Sequence, residues 1–369
     1  MNQRVHAANK NKTSERIEMF VGLSLVGLLS TISTLYALHH LFTLLLIVAG
    51  VLIVGGKMFA REHVDLTALA LLLLFAWVSI GMLYTPAPWT WSKINWSKYS
   101  LFLLGVLVLT LFRKYPAWRQ LALNGFVASM VFVLVSTWAN VWFVLPWSAT
   151  KTPGWGLTHN VMYDYIIQNV MMSFFVVLAL VKADRSDKKM VRWTWWVLAF
   201  MGVVSITHLS QGRTGVAVLF PGLLAYGVIR LGVRKTLIAL PIGLALLTAG
   251  ALSSSVMRER IELGTKEFSQ RNEDVFSSIG HRLYNWRTTP KLIAEKPILG
   301  HGTGAYHTEI CRFVDKPEWC DTFRWHPHNQ YLYFAADYGL VGLGLYVALI
   351  ASLFVAAHRS QDKSAKTLL

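Results

Sequence analysis

Nearly uninterrupted apolar runs occupy residues 19–36, 39–56, 64–84, 99–112, 120–145, 161–181, 193–209, 214–229, 236–252 and 331–357. Several approach the roughly 20 residues that an α-helix needs to cross a hydrocarbon core. The pattern predicts an all-α, polytopic membrane protein in one integral membrane domain, residues 1–369. The run at 99–112 is short, and those at 120–145 and 331–357 are long enough to hide a break or a re-entrant piece, so about ten to twelve crossings are expected. Residues 253–326 interrupt the pattern. They are polar but carry Tyr284, Trp286, Tyr306, Trp319 and Trp325, which suits a folded cap better than a structureless linker.

Composition agrees with this reading: 54% of residues are hydrophobic and 15% charged, where a soluble domain carries about 25% charged residues. With the N-terminus inside, the inner segments hold twenty Lys and Arg: Arg4, Lys10, Lys12 and Arg16; Lys57 and Arg61; Arg113, Lys114 and Arg119; Lys182, Arg185, Lys188, Lys189 and Arg192; Arg230, Arg234 and Lys235; Arg359, Lys363 and Lys366. The short outer loops hold Lys93, Lys98, Lys151 and Arg213. The bias places both termini in the cytoplasm and residues 253–326 outside. The net charge of +16 is then a topology signal and calls for no nucleic acid. No small-residue cleavage pattern follows the first apolar run, which is expected to stay as an anchor.

Candidate chemistry gathers at the outer face. In "HLSQGRTGVAV", His208 to Val218, Arg213 stands at a helix start between Gly212 and Gly215, where backbone N–H groups and a guanidinium suit a phosphate. The alternative is an arginine snorkelling to the interface. In "SIGHRLYNWRTTPKLIAEKPILGHGTGAYH", Ser278 to His307, Arg282 and Trp286 are four residues apart and share a helix face, as a short amphipathic lid would require; Arg287 adds a second cation. The Gly300, Gly302, Gly304 series follows no strand and precedes no Lys-Ser or Lys-Thr, which excludes a nucleotide loop. Both cysteines of the chain, Cys311 and Cys320, lie in the outer loop and read as a disulfide worth roughly 2 to 3 kcal/mol, with free thiols as the alternative. In "RWHPHNQYLYFAADYGLVGLG", Pro327 suits the first turn of a helix, with His328 and Asn329 near its N-terminus and the helix running inward through Tyr331, Leu332 and Ala335. A histidine there is otherwise a cap or interface residue, and Gly339, Gly342 and Gly344 otherwise serve close helix packing.

The spacing of His328-Asn329 from Gly339-Leu340-Val341-Gly342 resembles the His-Asn signature of bacterial O-antigen ligases, the membrane enzymes that complete lipopolysaccharide. "GRTG" resembles their arginine turn, and "GHRLYNW" with "EKPILGHGTGAYH" their large-loop arginine and PxxGxG segment. The resemblance covers roughly residues 190–357; the second histidine, His326, and the cysteine pair depart from it. It implies a C-type glycosyltransferase-like fold in the bacterial inner membrane, a large periplasmic loop at 253–326, and an active site facing the periplasm. It implies metal-independent, inverting transfer of a glycan from undecaprenyl pyrophosphate to a sugar hydroxyl of lipid A-core, with no cofactor. One imidazole and two guanidiniums suffice for that reaction: His328 as base, Arg213 and Arg282 on the leaving pyrophosphate, with Arg287, Trp286, His326 and Asn329 as further substrate contacts. O-antigen polymerases and protein O-oligosaccharyltransferases share the motifs; the short tail after the last helix leans toward a ligase.

Two rivals come from other classes. A transporter would place paired ionisable groups at mid-membrane depth, where this sequence offers only Asp164 and Asp337 and no evident repeat. A non-catalytic assembly scaffold would leave His328 dispensable.

Overall fold

The computed structural model of the chain describes residues 2–53, 65–162, 164–210, 212–270 and 273–360. Among them there is no strand and there are fifteen α-helices. The first six are α1 (Asn2–Thr31), α2 (Tyr36–Ile53), α3 (Leu66–Gly81), α4 (Trp89–Tyr99), α5 (Leu101–Lys114) and α6 (Trp118–Ala139). Next come α7 (Tyr165–Asp184), α8 (Lys189–His208), α9 (Arg213–Leu231), α10 (Val233–Ser253) and α11 (Ser255–Ser269). The last four are α12 (Ser278–Glu295), α13 (Tyr306–Glu309), α14 (Cys320–Phe323) and α15 (Gln330–Arg359).

Every apolar run has its helix, so the all-α polytopic reading holds. Among the described residues seven stretches are long and apolar enough to cross a membrane: α4 with α5, α6, α7, α8, α9, α10 and α15. The remaining three runs correspond to the apolar end of α1 and to the shorter apolar stretches Ala37–Gly50 and Leu66–Gly81. One expected outer turn is itself helical: α4 contains Lys93 and Lys98 and meets α5 across Ser100. The inner cations Lys57, Arg61, Lys363 and Lys366 lie outside the described residues.

The chain divides into two compact units. The first comprises Met1–Ile53, Leu111–Glu262 and Ala357–Leu369; the second comprises Val54–Thr110 and Leu263–Ala356. In the first unit α7 packs against α8 and α9, and α1 against α2 and α6. Met130, Leu134, Met172, Phe175 and Ala179 form its centre. Small residues set the spacing, as they do wherever helices pack without a hydrophobic gain over lipid: a Cβ on Gly202 would lie 2.6 Å from Val176 Cγ2. Asp164 is not a mid-membrane charge. It caps α7, accepting from the N–H groups of Ile166 and Ile167 at 2.7 and 3.1 Å.

The second unit is built on α3, α4, α12 and α15 around Leu74, Tyr99, Leu292, Tyr306, Phe334 and Tyr338. Its determining feature is a break in α15, of the kind that the length of the 331–357 run left room for. Gly339 sits at φ 64°, ψ −168°, a conformation open essentially to glycine alone. A break releases carbonyls on one side and N–H groups on the other, and buried groups of this kind must find partners. The segment Pro297–Gly302 supplies them. The carbonyls of Ala336 and Asp337 accept from the N–H groups of His301 (3.0 Å) and Gly302 (2.7 Å). The N–H groups of Leu340 and Val341 donate to the carbonyls of Pro297 (2.8 Å) and Ile298 (3.3 Å). Trp77 Nε1 donates to the Tyr338 carbonyl at 3.0 Å. Asp337 then clasps the loop from inside, its two carboxylate oxygens accepting from Gly304 N (3.1 Å) and Tyr306 N (2.7 Å).

The three glycines expected to pack helices therefore do different things. Gly339 makes the break, Gly342 brings α15 against α3, since its Cβ would lie 3.2 Å from Trp77, and Gly344 faces open space.

Candidate active site

The His326-Pro327-His328 turn precedes the first half of α15 and is held by α12. Ser277 caps α12 by accepting from Gly280 N at 3.1 Å. Two turns on, Asn285 Nδ2 donates to the His326 carbonyl (3.3 Å) and Trp286 Nε1 to the Pro327 carbonyl (3.0 Å). Two neighbouring carbonyls of the turn are thus pinned by two neighbouring residues of one helix. Asn329 is the cap of α15, its Oδ1 accepting from Tyr331 N (3.0 Å) and Leu332 N (3.3 Å). Pro327 consequently lies before the helix and not in its first turn.

His328 lies immediately before that cap at φ 54°, and is the one non-glycine with positive φ among the described residues. Its imidazole is exposed and its N–H donates to His326 Nδ1 at 2.9 Å. An accepting Nδ1 leaves the His326 proton on Nε2, which reaches Gln330 Oε1 at 3.3 Å; Gln330 Nε2 in turn donates to Tyr99 at 3.1 Å. The His326 ring stacks on Tyr333 with centroids 5.0 Å apart. Burial foremost, with Lys98 and His328 beside it, pushes the His326 pKa down to about 4, so the ring stays neutral. His326 is therefore a bracket for His328 and not an idle neighbour.

The sequence reasoning missed His281. It lies edge-on to His328 with centroids 5.1 Å apart and edge-on to Phe323 at 4.7 Å. Its Nε2 is buried with no partner among the described residues. The signal was available, because His281 and Asn285 are one helical turn apart and face the same turn. Burial lowers the pKa of both His281 and His328, and the Arg282 guanidinium lowers both further. His328 is thus an uncharged imidazole at neutral pH, able to take a proton, with a cation beside it.

Arg282 is exposed on the flank of α12 that carries Trp286. Arg287 is also exposed but falls about 140° round the helix from Arg282, so the two do not share a face. Arg213 is the first residue of α9, in the other unit, after Gly212 as cap. The glycines beside it are not empty space for an anion. A Cβ on Gly215 would lie 2.5 Å from Asn169 Cβ and one on Gly212 2.5 Å from Asn169 Nδ2, so they admit α7, whose Asn169 donates to Ser210 at 2.8 Å. Cys311 and Cys320 are joined by a disulfide, Cα atoms 5.0 Å apart, and Arg312 between them pairs with Glu295 of α12 and Glu309. Among the described residues no three of His, Cys, Asp and Glu are grouped as a metal site requires.

A turn fixed by two side chains of a polar helix, with a neutral histidine at its tip and an arginine of that helix beside it, sits within one continuous stretch of sequence. Residues 198–347 match the O-Antigen ligase family model. That stretch contains the "GRTG" turn, α12, the glycine loop and the His326–His328 turn, so the resemblance read from those motifs is borne out there. Two curated proteins named "Putative polysaccharide ligase" are similar to the chain. The protein from Rickettsia bellii is 29% identical over 116 residues, 30% of this chain and 28% of its own length. The protein from Rickettsia conorii is 28% identical over 133 residues, 34% of this chain and 31% of its own length. The aligned stretch thus spans less than a third of each relative.

Proposed function

We propose that the chain is a glycosyltransferase of the O-antigen ligase type, moving a glycan from undecaprenyl pyrophosphate to a sugar hydroxyl of lipid A-core at the periplasmic face of the inner membrane. The supporting observation is that the O-antigen ligase family match covers both the neutral, exposed His328 and the arginine beside it.

In this mechanism His328 accepts the proton of the acceptor hydroxyl as its oxygen attacks the anomeric carbon of the donor. The bond from that carbon to the pyrophosphate oxygen breaks on the opposite face, so the configuration inverts. Undecaprenyl pyrophosphate leaves with the bonding pair, and its charge is met by Arg282. Asn285, Trp286 and His326 hold the turn so that the base is placed before substrate arrives, and preorganisation of this kind lowers the barrier. No step uses a metal ion.

The test is reconstitution of the purified protein in vesicles with the lipid-linked glycan and lipid A-core, with EDTA present. Transfer of the glycan to the core supports the reading. Growth of the glycan on a second donor molecule in place of the core would assign a polymerase. Loss of the reaction in EDTA, restored by a divalent ion, would refute the metal-free chemistry.

A further inference from the structure

A second group of aromatic residues in the same unit takes no part in holding the turn. Trp91 of α4 lies against His307 of α13 with ring centroids 3.4 Å apart. Trp325 closes on both, edge-on, at 5.5 Å from Trp91 and 4.9 Å from His307. The Trp325 ring is fixed, because its Nε1 donates to the Asp321 carbonyl at 2.8 Å, yet 62% of the residue is exposed. Arg324 lies over the Trp91 ring at 5.9 Å and pairs through Nη1 with Asp321 at 2.8 Å.

Among the described residues, two polar atoms of this group are buried without a partner: His307 Nε2, in a residue only 6% exposed, and Arg324 Nε. An unpaired buried polar atom is costly, and one in a well-packed cluster calls for an explanation. A fixed, exposed indole beside unspent hydrogen-bonding groups has a natural complement. A pyranose ring presents polarised C–H bonds on one face, which suit the negative face of an indole, and hydroxyls at its rim, which suit an imidazole and a guanidinium.

We propose that Trp91, His307, Arg324 and Trp325 form a saccharide subsite that binds a sugar ring next to the one that reacts. The placement follows from the chain. Trp325 is three residues before His328, and three residues reach at most about 11 Å, the span of one or two sugar rings. The subsite thus deepens the glycosyltransferase reading, on which it rests. The ring comes either from the acceptor core or from the donor glycan, and the chemistry of recognition is the same for both.

The test is calorimetric titration of the detergent-purified full chain with two probes, the deacylated core oligosaccharide and the glycan released from its lipid pyrophosphate. Trp325→Ala removes the exposed platform at a solvated position and is expected to weaken binding of one probe by about tenfold, while Trp325→Phe keeps most of it. His307→Gln, which keeps a hydrogen-bonding group at the rim, is expected to weaken the same probe by a smaller factor. The probe affected identifies the side, donor or acceptor. Equal affinity of wild type and Trp325→Ala for both probes, or no measurable binding of either by wild type, overturns the subsite. Trp325-dependent binding by a protein that transfers no glycan would uphold the subsite and sink the enzymatic reading, so the two fail separately.

Discussion

The helices α9 and α15 carry the two glycine patterns that drew attention in the sequence, and they use them in opposite ways. α9 contains Pro221, which lacks an N–H, yet it runs unbroken from Arg213 to Leu231. α15 contains no proline and breaks at Gly339. A proline removes one donor from a helix that can otherwise close its ladder. A full break leaves several donors and acceptors on both sides, and it persists only where something else satisfies them. In α15 the Pro297–Gly302 segment, Trp77 and the Asp337 carboxylate do so. The lesson is that a full break needs both a residue that can take the broken backbone and partners for the groups it frees, and a proline alone supplies neither.

Substitutions in the two helices separate these roles, and the largest effect is expected at Gly339. A Cβ there would lie 2.1 Å from the Ile298 carbonyl oxygen, in a backbone conformation that alanine avoids. Gly339→Ala should cost about 3 to 5 kcal/mol, read as a lowered unfolding temperature in detergent. A Gly339→Ala protein as stable as wild type would show that α15 can run straight. Asp337→Asn keeps the shape but turns a donor toward one of two N–H groups that need acceptors, and should cost about 1 to 3 kcal/mol. Gly215→Ala in α9 presses on Asn169 without backbone strain and should cost about 1 to 3 kcal/mol through overpacking. Gly344→Ala, beyond the break and facing open space, should be neutral or stabilising by up to about 1 kcal/mol.

A pH profile sharpens the same picture at the turn. The His328 pKa is lowered, so the neutral base persists down to its depressed folded value, and activity is lost as pH falls through it. The acidic limb of kcat/KM should therefore lie below ~6.5, the ordinary histidine value. Arg282→Ala removes a cation that disfavours protonated His328 and should move the limb upward while lowering the rate. A limb that stays in place would detach Arg282 from the histidine.

The sequence made the helices legible because ten apolar runs are a local signal, and each has its helix. It also brought out Arg282 and Trp286 as neighbours, since an i, i+4 pair is fixed by helix geometry alone. The break at Gly339 was not legible. A glycine in an apolar run reads the same whether it packs, bends or faces lipid, and the groups that decide lie near residue 300. The positive φ of His328 was hidden for a similar reason: it follows from Asn329 capping α15 while Asn285 and Trp286 hold the preceding carbonyls. His326, expected as a further substrate contact, also accepts from the backbone N–H of His328, a bond that spacing does not reveal.

His328 as the base is tested by single-turnover glycan transfer by His328→Ala in reconstituted vesicles, with donor affinity measured in parallel. The expected result is a rate lowered by about 10² to 10⁴-fold with donor binding largely intact. A rate near that of wild type would contradict the assignment and leave the His326–His328 turn as a structural cap on α15.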